Sequence, residues 1–189
     1  GHEGHPEVEG TAGQLQDISK LTLVQELNDV EKLYFPSDQK IAYITQTTLS
    51  VFDTQEIVDA LEKKFPQILA PKKSDICYAT SNRQTSVQEI AKNVDAFFVI
   101  GAFNSSNSIR LVDTAKRFGC YYSELIENID NFYYQKLNQY ESIGLTASAS
   151  APEKQLNLFI DRVKENYKPE VIDYKEDENI VFKVPNFLN

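Results

Sequence analysis

The stretch Asp95-Ala-Phe-Phe-Val-Ile-Gly-Ala102 decides the fold. Its apolar run is continuous, short, and rich in aromatic and β-branched residues. A strand covered on both faces reads this way, whereas a strand with one wet face alternates. On either side the period changes to that of a helix. Upstream, Val87, Ile90, Ala91 and Val94 fall on one stripe of a helix predicted over Thr85–Val94. Downstream, Leu111, Val112, Ala115 and Phe118 form a second stripe, with Gly119 as its C-terminal cap. Cys120–Ile126 and Ile143–Ala147 are further β-rich runs. Leu156, Phe159, Ile160, Val163 and Tyr167 line a last helix, preceded by Ser150-Ala-Pro-Glu153, a capping-box pattern with Pro in the first turn.

The N-terminal half repeats the alternation. Gly1–Gly13 reads as a polar, Gly-rich loop, Leu21–Val24 as a short strand and Asn28–Tyr34 as a short helix. Lys40–Gln46 is a β-rich run, and the polar loop Thr47–Ser50 follows it. Asp53-x-x-Glu56 matches a capping box for a helix with Ile57, Leu61 and Phe65 on one stripe, stopped by Pro66. Strands alternating with helices predict an α/β fold with parallel sheets. Two such units are expected, residues 1–73 and 74–167. An extended tail, 168–189, follows them, with a charged stretch (Lys175–Glu178) and an apolar one (Ile180–Val184).

Composition narrows the function. The 189 residues carry a formal net charge of −9, with 41% hydrophobic and 25% charged residues. A basic footprint for nucleic acid is absent, and an acidic chain does not suit an anionic membrane surface. No apolar run approaches the roughly 18 residues that span a bilayer, and no signal peptide opens the chain. The two cysteines, Cys77 and Cys120, are too few for a disulfide scaffold and fit a reducing compartment. The chain contains no Met, which fits either a trimmed initiator or a fragment.

Three polar loops share one place in the pattern, between a strand and the helix after it: Thr47–Ser50, Asn104–Asn107 and Ser148–Ser150. In open α/β sheets, ligands bind beyond the carboxyl ends of the strands. Helix N-termini offer unpaired N–H groups and partial positive charge, which suit phosphate. Ser and Asn are also ordinary caps, so each loop alone is weak evidence. His5 and Glu7 add a group that can donate to phosphate and a potential general acid. Cys77 precedes a helix start, where a thiol ionises more readily; Cys120, after Gly119, reads as core. Dinucleotide, Walker-type and CxxC motifs are absent.

Several blocks together resemble the hydroxymethylbutenyl diphosphate reductase (LytB) family. They are Gly4-His-Pro-Glu-Val-Glu-Gly10, Thr45-Gln-Thr-Thr-Leu-Ser-Val51, Asp75-Ile-Cys-Tyr-Ala-Thr80 with Asn82-Arg-Gln84, Asn104-Ser-Ser-Asn-Ser108 with Arg110-Leu111, and Ala149-Ser-Ala-Pro152. Asn179-Ile-Val-Phe-Lys-Val-Pro185 is similar to the family's C-terminal tail. The resemblance implies two of the three α/β domains of a trefoil, the N-terminal one missing. It also implies an iron–sulfur reductase, the last enzyme of the methylerythritol phosphate route. That enzyme converts 4-hydroxy-3-methylbut-2-enyl diphosphate to isopentenyl and dimethylallyl diphosphate. Carried over, Cys77 is one ligand of a 4Fe–4S cluster and Glu7 is the proton donor. Thr47 binds substrate and relays the proton. His5, Ser105, Ser106, Asn107 and Ser150 hold the diphosphate.

The other two cluster cysteines and two further diphosphate-binding histidines would lie outside this chain. The isolated chain is therefore expected to be inactive, and a non-redox binding module for a phosphorylated metabolite is the alternative. Ferredoxin or flavodoxin is the implied electron donor. The implied location is a bacterial cytoplasm, with a plastid-type organelle also open. Ser148 stands where the family has Gly, and Cys120 matches no ligand position. His2 is expected to be exposed and without a role.

Overall fold

The computed structural model describes residues 1–174. The Lys175–Glu178 and Ile180–Val184 segments, and with them most of the expected docking tail, lie outside the described residues.

β1 (Ala96–Ile100) forms where the apolar run predicts it, and all five of its residues are buried. It is the centre of a parallel sheet of order β2-β1-β3, with β2 at Tyr122–Ile126 and β3 at Ile143–Ala147. Ala96 is level with Tyr122 and Ile143, and Ile100 with Ile126 and Ala147. Alternate residues of β1 serve different layers. Phe97 and Val99 pack under helices α4 (Tyr78–Ala91) and α5 (Ser106–Arg117), against Val87, Ala91, Leu111 and Ala115. Ala96, Phe98 and Ile100 face α6 (Glu153–Tyr167), against Phe159 and Val163. Burial of one such side chain stabilises by about 1.5–3 kcal/mol, so the double-sided strand anchors both layers. The α/β class read from the sequence holds.

Residues 1–73 contribute helices α1 (Pro6–Ala12), α2 (Leu27–Lys32) and α3 (Val51–Lys64). A smaller core of Val30, Leu61 and Phe65 is completed by Ile57, Phe35, Ile41 and Ile68. Here parallel pairing is a single bridge, Ala42 to Leu69, inside the β-rich run Lys40–Gln46. Leu21–Val24, read as a strand, has no ladder partner among the described residues.

Four boundaries differ from the sequence reading, each for a local reason. Gly1–Gly13 is not all loop. Pro6 opens α1, and the His5 ring accepts the Glu7 N–H as its N-cap. α3 begins at Val51, two residues before the Asp53-x-x-Glu56 box, because Ser50 is the cap and its hydroxyl accepts the Asp53 N–H. α4 begins at Tyr78 rather than Thr85, since the polar run Ser81–Gln84 has the backbone for a helix and lacks only an apolar stripe. The cap of α6 is Pro152, not Ser150, whose side chain is left for other contacts.

Candidate functional site

β1 leads into α5 on one face of the sheet, and β3 leads into α6 on the other. The two exits part at the carboxyl edge, where open α/β sheets bind ligands in a crevice. At that edge Gly101, Ser108 and Ser148 pack together. The Ser148 N–H donates to Ile100 O (2.8 Å), which ties the end of β3 to that of β1. A Cβ on Gly101 would lie 2.2 Å from Ser108 Oγ and 3.0 Å from Ser148 Oγ, so a side chain here would have to displace the Ser108 hydroxyl. That same gap accommodates the hydroxymethyl group of Ser148, whose Oγ lies 3.4 Å from Ser150 Oγ.

The N-terminus of α5 forms one wall. Ser105 is its N-cap, and the Ser105 hydroxyl accepts the Ser108 N–H (3.3 Å). Asn107 is only 4% exposed, yet among the described residues neither its Oδ1 nor its Nδ2 has a partner, and Ser108 Oγ is equally alone. A buried carboxamide without hydrogen bonds costs stability, so native proteins rarely keep one without a use. His5 reaches this wall from the start of α1. Its Nδ1 accepts the Glu7 N–H (3.2 Å), which in the neutral ring leaves the proton on Nε2. Nε2 then donates to Ser106 Oγ (2.9 Å), and the Ser106 proton stays free for another acceptor.

The opposite wall is a string of three residues. The Thr47 N–H donates to Glu7 Oε2 (2.8 Å), and Thr47 Oγ1 donates to Glu7 Oε1 (3.0 Å). The Cys77 N–H donates to Thr47 O (2.9 Å). Cys77 is the N-cap residue of α4, half-buried, free, and without a side-chain cap bond. Thus His5, Ser106, Glu7, Thr47 and Cys77 are linked in one chain of contacts.

Residues beyond that reading also shape the crevice. The Arg83 Nε donates to Ala147 O (3.1 Å) and Nη1 to Ala79 O (2.9 Å), joining the first turn of α4 to the end of β3. His2 is not the exposed, idle residue expected. It is half-buried, and its Nε2 accepts from the Arg110 guanidinium. Burial first, and then the Arg110 charge, hold the His2 pKa below the usual histidine value. Contacts between residues 108 positions apart leave no local pattern in a sequence. A cavity of about 830 Å³, lined by the segments 20–27 and 39–46, adjoins the site, with His2, Glu7, Ser50 and Arg110 on its wall.

Among the described residues, no three His, Cys, Asp or Glu side chains gather to hold a metal ion. Cys120 is 1% exposed, donates to Tyr122 O (3.4 Å), and has its thiol pKa pushed up by burial. Cys77 suits one thiolate ligand of a cluster at a helix N-terminus, but these residues do not fit a complete ligand set.

The family model described as "LytB protein" matches residues 1–164. The 4-hydroxy-3-methylbut-2-enyl diphosphate reductase of Ruegeria sp. (strain TM1040) is 45% identical over 189 residues, all of this chain and 60% of that protein. The protein of the same name from Acinetobacter baylyi is 47% identical, again across the whole chain and 60% of the relative. Among solved structures, the E-1-hydroxy-2-methyl-but-2-enyl-4-diphosphate reductase from Plasmodium falciparum superposes with a TM-score of 0.86 at 35% identity. That match covers 99% of this chain and 59% of the other. The chain thus spans about 60% of the length of the curated relatives it matches. With a family match across most of its length, the chain belongs to the LytB protein family.

Proposed function

We propose that this chain is the substrate-binding part of a 4-hydroxy-3-methylbut-2-enyl diphosphate reductase, comprising the second and third α/β domains (residues 1–73 and 74–167). The observation that carries the reading is the buried Asn107 carboxamide at the N-terminus of α5, without a partner among the described residues. It supplies donors for an anionic ligand, flanked by the hydroxyls of Ser106 and Ser108. In this reading Ser105, Ser106, Asn107, Ser150 and His5 hold the diphosphate. The alcohol end of the substrate then faces the opposite wall, toward Thr47.

The net reaction is C–OH + 2 e⁻ + 2 H⁺ → C–H + H₂O. Hydroxide is a poor leaving group, so the C–O bond breaks readily only when a proton arrives. Protonated Glu7 gives its proton to Thr47 Oγ1, and Thr47 passes its own to the departing oxygen. A 4Fe–4S cluster with Cys77 as one ligand supplies the electrons when bound, its remaining ligands coming from outside this chain. A ferredoxin or flavodoxin is the proposed donor, and the cytoplasm or a plastid-type organelle the proposed compartment.

The test is anaerobic incubation of the full-length protein with the substrate and a chemical electron donor, followed by mass spectrometry. Isopentenyl and dimethylallyl diphosphate are expected; their absence, with the cluster spectroscopically intact, overturns the proposal. For the 189 residues alone, the single site cysteine favours a second reading, a non-redox module for a phosphorylated metabolite. Diphosphate binding by the iron-free chain supports that reading.

A further inference from the structure

Gln84 lies on α4, seven residues and so about two helical turns beyond Cys77. It is 1% exposed, and its carboxamide is fully used. Nε2 donates to Leu49 O (2.9 Å), and Oε1 accepts the Val51 N–H (3.0 Å). Only one orientation of the amide satisfies both. The side chain therefore pairs with the loop as a peptide group of a neighbouring strand would, taking the N–H of one residue and the C=O of the residue two before it. Val51 is the first residue of α3, and its N–H is one of the donors a helix start leaves without an internal partner.

Cys77 grips the same loop from its other end, through Thr47 O. α4 thus holds residues 47–51 at two points along its own length. One point is Thr47 itself, whose hydroxyl meets Glu7; the next residue, Thr48, has a buried hydroxyl with no partner among the described residues. Without the Gln84 contacts the loop would be held only at Thr47, by Cys77 and Glu7, and the backbone beyond it could shift.

We propose that Gln84 is a positioning residue that splints the Thr47–Val51 loop to α4 and thereby sets the Thr47 hydroxyl in line between Glu7 and the substrate. This rests on the reductase reading. Gln84 contacts none of the diphosphate-holding groups through its hydrogen bonds, so it acts on proton delivery and not on ligand capture. A misplacement of about 1 Å in a reacting group can cost about 10²-fold in rate.

The experiment uses full-length protein with Gln84→Ala and Gln84→Glu. Two readouts are taken: hydrogen exchange of the Val51 amide, and single-turnover reduction resolved into amplitude and rate constant. In Gln84→Ala, exchange at Val51 is expected to accelerate, and the rate constant to fall about 10- to 100-fold. Amplitude and affinity for isopentenyl diphosphate are expected to hold. A merely structural loss would lower the amplitude and leave the rate constant of the surviving molecules unchanged. Gln84→Glu decides the matter if the alanine variant does not fold. Its protonated carboxyl can donate to Leu49 O and accept from Val51, whereas the ionised form faces a carbonyl. Its rate constant is expected to approach the parent's at low pH and to fall further below the parent's as pH rises, so that the ratio of the two depends on pH. An active parent whose variants keep its rate constant and pH profile overturns the splint. An inactive parent overturns the reductase reading, and this inference with it.

Discussion

Thr47 grips both carboxylate oxygens of Glu7 at once, its backbone N–H on Oε2 (2.8 Å) and its hydroxyl on Oε1 (3.0 Å). The pair is held from 40 residues apart in sequence, across the junction of α1 and the loop before α3. A two-point grip fixes the plane of the carboxyl group as well as its distance. In Glu7→Gln one oxygen remains an acceptor and the other becomes a donor, so shape survives while the transferable proton is lost. Substrate binding and cluster content are expected to persist in the full-length protein. Turnover is expected to fall by at least about 10²-fold. Near-normal single-turnover reduction would show that the proton comes from elsewhere.

Asn107→Ala separates ligand affinity from fold stability. The parent leaves a buried carboxamide unpaired, so its loss is expected to leave the ligand-free melting temperature unchanged or raised. Loss of a hydrogen bond to a charged group costs about 1.5–3 kcal/mol, so diphosphate affinity should weaken about ten- to a hundred-fold. Calorimetric titration with isopentenyl diphosphate, beside thermal unfolding, checks both signs. Unchanged affinity would mean that Asn107 does not face the ligand.

The two cysteines should part company. Cys77→Ser in the full-length protein is expected to lose bound iron, because a hydroxyl is a poor iron ligand beside a thiolate. Cys120→Ser is expected to keep its iron and to lose some stability, since it places a hydroxyl in a fully buried site. Iron analysis of both variants decides the assignment, and depletion in the Cys120 variant alone would reverse it.

His2 gives the fold a pH dependence. Its folded pKa lies below the usual 6.5. As pH falls from above 6.5, the unfolded chain takes up a proton before the folded one does. Its contribution to stability is therefore present above pH 6.5 and is lost as pH falls toward and through the folded pKa. Denaturant midpoints measured between pH 8 and pH 5 are expected to decline less in His2→Gln than in the parent. Equal declines would assign the effect to other groups.

The sequence was legible where the signal is local and repeated. Phe97 and Phe98 announce a strand covered on both faces, and the stripe from Leu111 to Phe118 announces α5 and its glycine cap. The candidate site was read from the sequence for a different reason. His5, Glu7, Thr47, Cys77 and Asn107 sit in short blocks whose order resembles a known family, although no spacing brings them together. Helix starts were misplaced at Asp53 and Ser150, because each polar cluster offers several side chains able to cap and only the folded backbone selects one. Leu21–Val24 has the composition of a strand, but a ladder needs a partner, and pairing is a property of two segments. Arg83 and Gln84 stood in one of those blocks without a role, because their hydrogen bonds go to backbone atoms, which carry no mark of residue type.

Gly101 has a consequence for the protein's history. A side chain at 101 would meet the Ser108 hydroxyl at 2.2 Å and press on that of Ser148 at 3.0 Å. These three positions therefore constrain one another. Alanine at 101 is easier to accept once the Ser108 hydroxyl has turned aside or been lost. The order in which mutations arrive thus bears on which of them selection tolerates.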